Sequence, residues 1–210
     1  MKEGVMAEVE CVMLAAGRSS RMDDWKMTLP WGKSTIVEHS VRTALNVCAR
    51  VVLVAGFRAE ELDGLFRDWQ RVEVVKNESY EEGMFSSVQR GAQVLGSGGF
   101  FLALGDMPGI SEDVYKDLLG WDRKLASILP STGAAYAVIP KYRGKKGHPL
   151  LLSPQMRTRI LETSVSMSLR DVLAEVPTVI VPVDDHGILH DIDTPADYRA
   201  WHDREQSDSR

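Results

Sequence analysis

The chain has 210 residues, 44% hydrophobic and 26% charged, which suits one ordinary globular α/β domain with a sizeable core. Its 25 basic and 30 acidic residues give a net charge of -5, which argues against the broad basic face that nucleic-acid binding needs. No apolar run approaches the roughly 18 residues of a membrane span, residues 1–10 lack the apolar core of a signal peptide, and Cys11 and Cys48 form no C-x-x-C pair, so a metal-free pair of thiols in a reducing cytoplasm is expected.

The apolar run at 9–15 (VECVMLA) predicts a central parallel strand buried on both faces. A turn at Gly32-Lys33 leads to a helix predicted over 35–47, opened by Thr35 and Glu38 at capping-box spacing. A second strand at 51–55 precedes a helix at 59–69, and a third strand is predicted at 72–75. A helix at 85–95, a strand at 100–104 and a helix at 111–119 follow, the last with Ser111 as its N-cap. Strands at 135–139 and 149–152 flank a basic loop at 141–146. Ser153-Pro154 and Ser168-Leu169-Arg170-Asp171 open two helices, 178–183 is a strand, and Thr194-Pro195 starts a last helix ending near Asp203. Residues 1–8 and 204–210 are expected to fray, and 1–210 to form a single domain without an internal linker. Alternating strands and helices predict an α/β fold whose parallel sheet carries helices on both faces. Such sheets bind ligands beyond the carboxyl ends of their strands, so the loops after Ala15, Ala55, Val75 and Leu104 are the places to search.

The first loop reads Leu14-Ala15-Ala16-Gly17-Arg18-Ser19-Ser20-Arg21-Met22, with Lys26 close behind. Gly17 lets backbone amides approach a ligand, Ser19 and Ser20 add hydroxyls, and Arg18, Arg21 and Lys26 add charge. Convergent donors of this kind suit a polyphosphate better than they suit an idle basic turn. The dinucleotide pattern G-x-G-x-x-G is absent, which disfavours a Rossmann dehydrogenase. Gly32-Lys33-Ser34 resembles the end of a Walker loop, but Met27 stands where its first glycine belongs.

Asp106, in Leu104-Gly105-Asp106-Met107-Pro108, lies just past a strand end, where an acid can share space with a triphosphate only through a cation. Mg²⁺ is the natural choice, since it takes one or two carboxylates plus phosphate oxygens. Asp191 and Asp193 are two apart and point the same way in an extended segment; one can complete the metal site and the other cap the last helix. Gly147-His148-Pro149 follows Arg143, Lys145 and Lys146, and is either structural or a holder of an anionic acceptor. Asn77, Gly83, Ser86 and Ser87 form either a turn beside the nucleotide or a helix start.

These motifs, LAAGRSSRM with Lys26, Asn77 to Ser87, GDMP at 105–108, GHP at 147–149 and DIDTPADY at 191–198, occur in one order over almost the whole chain. The set resembles the MobA-like NTP transferases, most nearly the molybdenum cofactor cytidylyltransferases. The resemblance implies a three-layer sandwich of glycosyltransferase-A type, as in the nucleotide-diphospho-sugar transferases, with an antiparallel strand in a mostly parallel sheet. It implies that Arg21 and Lys26 serve the triphosphate, that Asp106 holds Mg²⁺ with Asp191 or Asp193, and that a nucleoside monophosphate passes to the phosphate of molybdopterin or molybdenum cofactor. The LAAG form is similar to that of the cytidylyltransferases, in which the residue at Ala16 lies near the base, so the resemblance favours CTP over GTP. The family's glycine after the methionine is replaced here by Asp23-Asp24-Trp25. A nucleotidyltransferase with a sugar-phosphate acceptor and a non-catalytic cofactor chaperone for a molybdenum enzyme, such as a molybdenum hydroxylase, are the other readings.

Overall fold

The computed structural model describes residues 9–22, 24–128 and 133–208. The expected fraying of 1–8 lies outside these residues, as does Asp23. The first half runs β1 (Glu10–Ala15), β2 (Pro30–Trp31), β3 (Ser34–Thr35), α1 (Ile36–Leu45), β4 (Val51–Ala55), α2 (Ala59–Phe66), β5 (Val72–Lys76), α3 (Met84–Val94) and β6 (Phe100–Leu104). The second runs α4 (Glu112–Ile128), β7 (Ala137–Tyr142), β8 (Lys145–Lys146), β9 (Leu150–Leu152), α5 (Pro154–Glu162), α6 (Leu169–Ala174), β10 (Thr178–Pro182) and α7 (Pro195–Asp208).

The main sheet has the order β10-β7-β9-β6-β1-β4-β5, with β8 paired to β7. β1 runs parallel to β4 and β6, while β9 is antiparallel to both β6 and β7. This is the mostly parallel sheet with a reversed strand that the sequence led us to expect. Alternation along β1 explains why its run is continuously apolar. Cys11, Met13 and Ala15 enter the core layer beneath α1, α2 and α4, whereas Val12 and Leu14 enter the layer beneath α3, α5 and α6. Both faces are thus covered, and no helix among the described residues is long and apolar enough to cross a membrane.

Local signals hold at most helix starts. The Thr35–Glu38 and Ser168–Asp171 capping boxes both form, and each cap contributes about 1 kcal/mol. Pro154 is the first residue of α5 after Ser153, as the proline-first order requires. Gly32, at φ 55°, turns the chain between β2 and β3, so the Gly32-Lys33 pair is a hairpin turn.

Several boundaries differ from expectation: the helix expected at 59–69 ends at Phe66, the strand expected at 135–139 spans Ala137–Tyr142, and three further differences are larger. Residues 141–146, expected as a loop, form a hairpin, with Lys141 opposite Lys146. Its turn residues Arg143 and Gly144 both take positive φ, which matches the twist of the paired strands. Helix α4 runs on through Gly120 to Ile128, because Leu118 is buried and Leu125 packs on the core; a glycine stop signal yields to burial. Helix α7 continues to Asp208, past the expected end near Asp203 and through part of the segment expected to fray.

Gly91 seats α3 on the sheet. A Cβ there would lie 2.4 Å from Val12 Cγ1 and 3.0 Å from Val54 Cγ2, so the helix backbone rests directly on the strands' valine side chains. Gly91→Ala should lower unfolding free energy by about 1–3 kcal/mol, the scale of overpacking, and urea denaturation measures it. An unchanged midpoint would show that the seam has slack.

Candidate active site

The carboxyl ends of β1 and β6 lie side by side, with Leu14 opposite Leu104. The loops that leave them therefore share one space. There a cleft of about 330 Å³ is lined by Leu14, Ala16, Gly17, Ser19, Ser20, Arg21, Lys26, Met27, Tyr80, Met84, Ser87, Leu104, Asp106, Asp191 and Asp193. The first loop is shaped from within. The Trp25 indole donates to the Gly17 carbonyl at 3.1 Å, and the Lys26 amide donates to Ser19 Oγ at 3.3 Å. Trp25 and Met27 are buried, and the backbone between them carries Lys26 inward.

Lys26 is 8% exposed at its side chain, and its Nζ lies 2.5 Å from Asp106 Oδ2 and 2.7 Å from Asp193 Oδ1. Burial alone would disfavour the ammonium, but the two carboxylates outweigh it and raise the lysine pKa above its ordinary value. The counterpart holds for Asp193: burial pushes it up, yet Lys26, with help from Arg21, brings its pKa below the ordinary value. Arg21 Nη2 reaches Asp193 Oδ2 at 2.5 Å. No such cation pairs with Asp191 among the described residues; burial and the neighbouring Asp193 and Asp106 charges push its carboxyl up.

Asp106, Asp191 and Asp193 each bring a carboxylate oxygen to within 4.8 Å of the others. Three hard oxygen donors on one spot fit a divalent cation such as Mg²⁺ or Mn²⁺. Two loops supply them, and the Ile192 amide ties the loops by donating to the Asp106 carbonyl at 2.9 Å. Spacing alone left open whether Asp191 or Asp193 belongs with Asp106; both do. Capping of α7 falls instead to Thr194 and Asp197 as a capping box: Thr194 Oγ1 accepts from the Asp197 amide at 3.2 Å, and the Asp197 carboxylate accepts from the Thr194 amide at 2.8 Å.

Several residues of the expected nucleotide set stand outside the cleft lining. Ala15 faces the core below. Arg18 is exposed and turns outward to an ion pair with Glu81 and a hydrogen bond to Tyr80. Asn77 is 5% exposed and donates to Ser86 Oγ at 2.9 Å and Ser87 Oγ at 3.0 Å. Ser86 in turn donates to the Ser79 and Gly83 carbonyls. Together they brace the start of α3, with Gly83 at φ 113° just before it, and that brace sets Met84 and Ser87 in the cleft. Asp24 is exposed and does not line the cleft. Tyr80, Met84, Met27 and Leu104 were not foreseen: apolar and aromatic residues give no chemical signal, and only convergence marks them.

Gly147 and His148 line a second cavity of about 480 Å³ with Lys146, Arg170 and apolar side chains that include Ile139, Leu150, Leu169 and Leu173. Pro149 is buried and does not line it. His148 Nδ1 lies 3.4 Å from the Leu102 carbonyl, and burial pulls its pKa down, which favours the neutral ring. The histidine thus packs against β6, within reach of the Asp106 charge.

Residues 11–179 match the MobA-like NTP transferase domain. The chain is 32% identical over 193 residues to the molybdenum cofactor cytidylyltransferase of Escherichia coli (strain K12), covering 92% of this chain and 95% of that protein. In fold it is similar to a nucleotidyl transferase from Methanothermobacter thermautotroptrophicus, with a TM-score of 0.74 at 23% identity over 95% of this chain and 98% of that one. It is also similar to the manganese complex of Rv0371C from Mycobacterium tuberculosis H37Rv, with a TM-score of 0.69 at 21% identity over 94% and 99% of the two chains. A glycine loop, a buried lysine and three carboxylates at the parallel strand ends thus accompany a match across most of the sequence, and the chain belongs to the MobA-like NTP transferase family of nucleotidyltransferases.

Proposed function

We propose that the protein transfers CMP from CTP to the phosphate of molybdopterin or molybdenum cofactor, with Mg²⁺ as cofactor and pyrophosphate as the leaving product. The observation that carries this reading is the convergence of the first loop, Lys26 and the three aspartates on one cleft. The cytidylyltransferase relative supports the acceptor and the base. Ala16 on the cleft wall with Tyr80 supports a base pocket at that end. Free thiols buried at Cys11 and Cys48 suit a cytoplasmic setting.

In this reading the amides from Gly17 to Ser20 cradle the triphosphate, and Arg21 and Lys26 neutralise it. Asp106, Asp191 and Asp193 would hold Mg²⁺, which when bound supplies charge neutralisation on the phosphate oxygens. An oxygen of the acceptor phosphate forms the new bond to the α-phosphorus while the bond to the β-phosphate oxygen breaks. Pyrophosphate carries away the electron pair. That nucleophile is already ionised near neutral pH, so positioning and charge compensation do the catalysis rather than a general base. The acceptor's bulk enters the second cavity, between its apolar floor and Lys146 and Arg170, with Gly147, His148 and Pro149 as the partition.

The test is to incubate the protein with Mg²⁺, molybdenum cofactor and each NTP in turn, measuring pyrophosphate and dinucleotide. Product with CTP and none in EDTA is expected; product with another NTP would overturn the role of Ala16, and nucleotide binding without product would overturn the acceptor. Lys26→Ala should reduce turnover about a hundredfold or more, the scale of losing one electrostatic stabiliser; full activity would remove Lys26 from the mechanism. Arg170→Ala should raise KM for the acceptor about tenfold while leaving KM for CTP in place, the loss of roughly one charge-assisted contact. Equal effects on both constants would show that the second cavity does not hold the acceptor.

A further inference from the structure

The three carboxylates come from segments far apart in sequence, and the matched span ends at residue 179, before Asp191 and Asp193. What fixes the later segment against the Asp106 loop is a close-packed seam. Gly187 lies so near Gly109 that a Cβ on it would fall 2.2 Å from the Gly109 carbonyl oxygen. Asp185 stitches the seam at its edge, accepting from the Ser111 amide at 2.9 Å and from the Gly187 amide at 2.7 Å.

One side chain packs on both sides of this seam. The Trp201 ring, from α7, sits directly on Gly109, where a Cβ would meet its carbons at 2.4 and 2.6 Å. The same ring stacks on His186 at 5.0 Å with planes 6° apart, and meets His190 edge-on at 6.1 Å. On a further side it lies 6.0 Å from Trp31 of β2. Trp31 and Ile36 enclose Ile192, which is fully buried between Asp191 and Asp193. Trp201 is therefore boxed by the loop that carries Asp106, the turn that leads into Asp191, and the wall that holds Ile192.

We propose that Trp201 is a positioning residue for the metal site, with Gly109 as its seat. Through its packing on both loops it sets the separation of Asp106 from Asp191 and Asp193. A carboxylate set tolerates little error in that separation, because Mg²⁺ requires near-ideal geometry at its oxygens. The inference rests on the reading of these aspartates as metal ligands, and assigns to the region beyond the matched span a direct part in assembling the site.

The experiment titrates Mn²⁺, followed by its EPR signal, into the wild type and the Trp201→Phe, Trp201→Leu and Trp201→Ala variants, each shown by circular dichroism to be folded at the working temperature. Nucleotide binding is measured separately in EDTA. Trp201→Leu and Trp201→Ala should weaken Mn²⁺ binding about tenfold or more, the scale of losing a group that orients a metal ligand, while Trp201→Phe restores most of it. CTP affinity in EDTA should stay within about threefold throughout. Should Trp201→Ala fail to fold, the leucine variant carries the test, since it keeps apolar volume and loses the stack. Wild-type Mn²⁺ affinity in the leucine variant would overturn the inference, as would a parallel loss of CTP binding, which marks general support of the fold. A wild type that binds no Mn²⁺ would instead overturn the metal reading of the aspartates, and this inference with it.

Discussion

A lysine ammonium held nearly dry between two carboxylates is the contact on which the rest of the site depends. Lys26 at 8% exposure would be costly if unpaired, since a buried lone charge loses its hydration with nothing in return. Its pairing with Asp106 and Asp193 requires three segments to meet: the loop after β1, the loop after β6 and the approach to α7. Pairing of this kind is weak evidence of net stability, because desolvation offsets much of the attraction. Its value is geometric. It gathers cationic and anionic groups at one place, where a triphosphate and a cation need both.

The fold makes this gathering economical. β1 sits in mid-sheet between β4 and β6, so the loop leaving it has neighbours on either hand. Helices cover both faces, which leaves the strand ends as the open edge. The first loop and Lys26 come from the β1 side, Asp106 from the β6 side, and Asp191 and Asp193 from the approach to α7. The reversed strand β9 then returns the chain beside β6, bringing His148 to the same edge and into the wall of the second cavity.

Polar residues that look alike in sequence divide in the fold into those that face the cleft and those that build it. Ser87 faces it, while Ser86, one residue earlier on α3, is spent on the Ser79 and Gly83 carbonyls. Asn77 is likewise spent on both serines, and Arg18 on Glu81. Such bracing residues still matter to a ligand, because they fix the backbone from which Met84 and Ser87 reach it.

The sequence by itself determined the central strands β1, β4 and β6 that bury both faces, though not that the similar run at 72–75 lies at the sheet edge, and it determined the parallel architecture, the helix starts at Thr35, Ser153 and Ser168, and the loops at which chemistry had to be sought. It did so because periodicity, caps and strand-end position are local physics, written in neighbouring residues. Only the tertiary structure decided that Asp191 and Asp193 both join Asp106, that Lys26 rests on two of the three, and that Asn77 and Ser86 turn inward. It alone carried α4 through Gly120 and folded 141–146 into a hairpin. Those outcomes depend on which distant segments the sheet order brings together, and on whether burial outweighs a local stop signal. Neither is encoded at any single position of the chain.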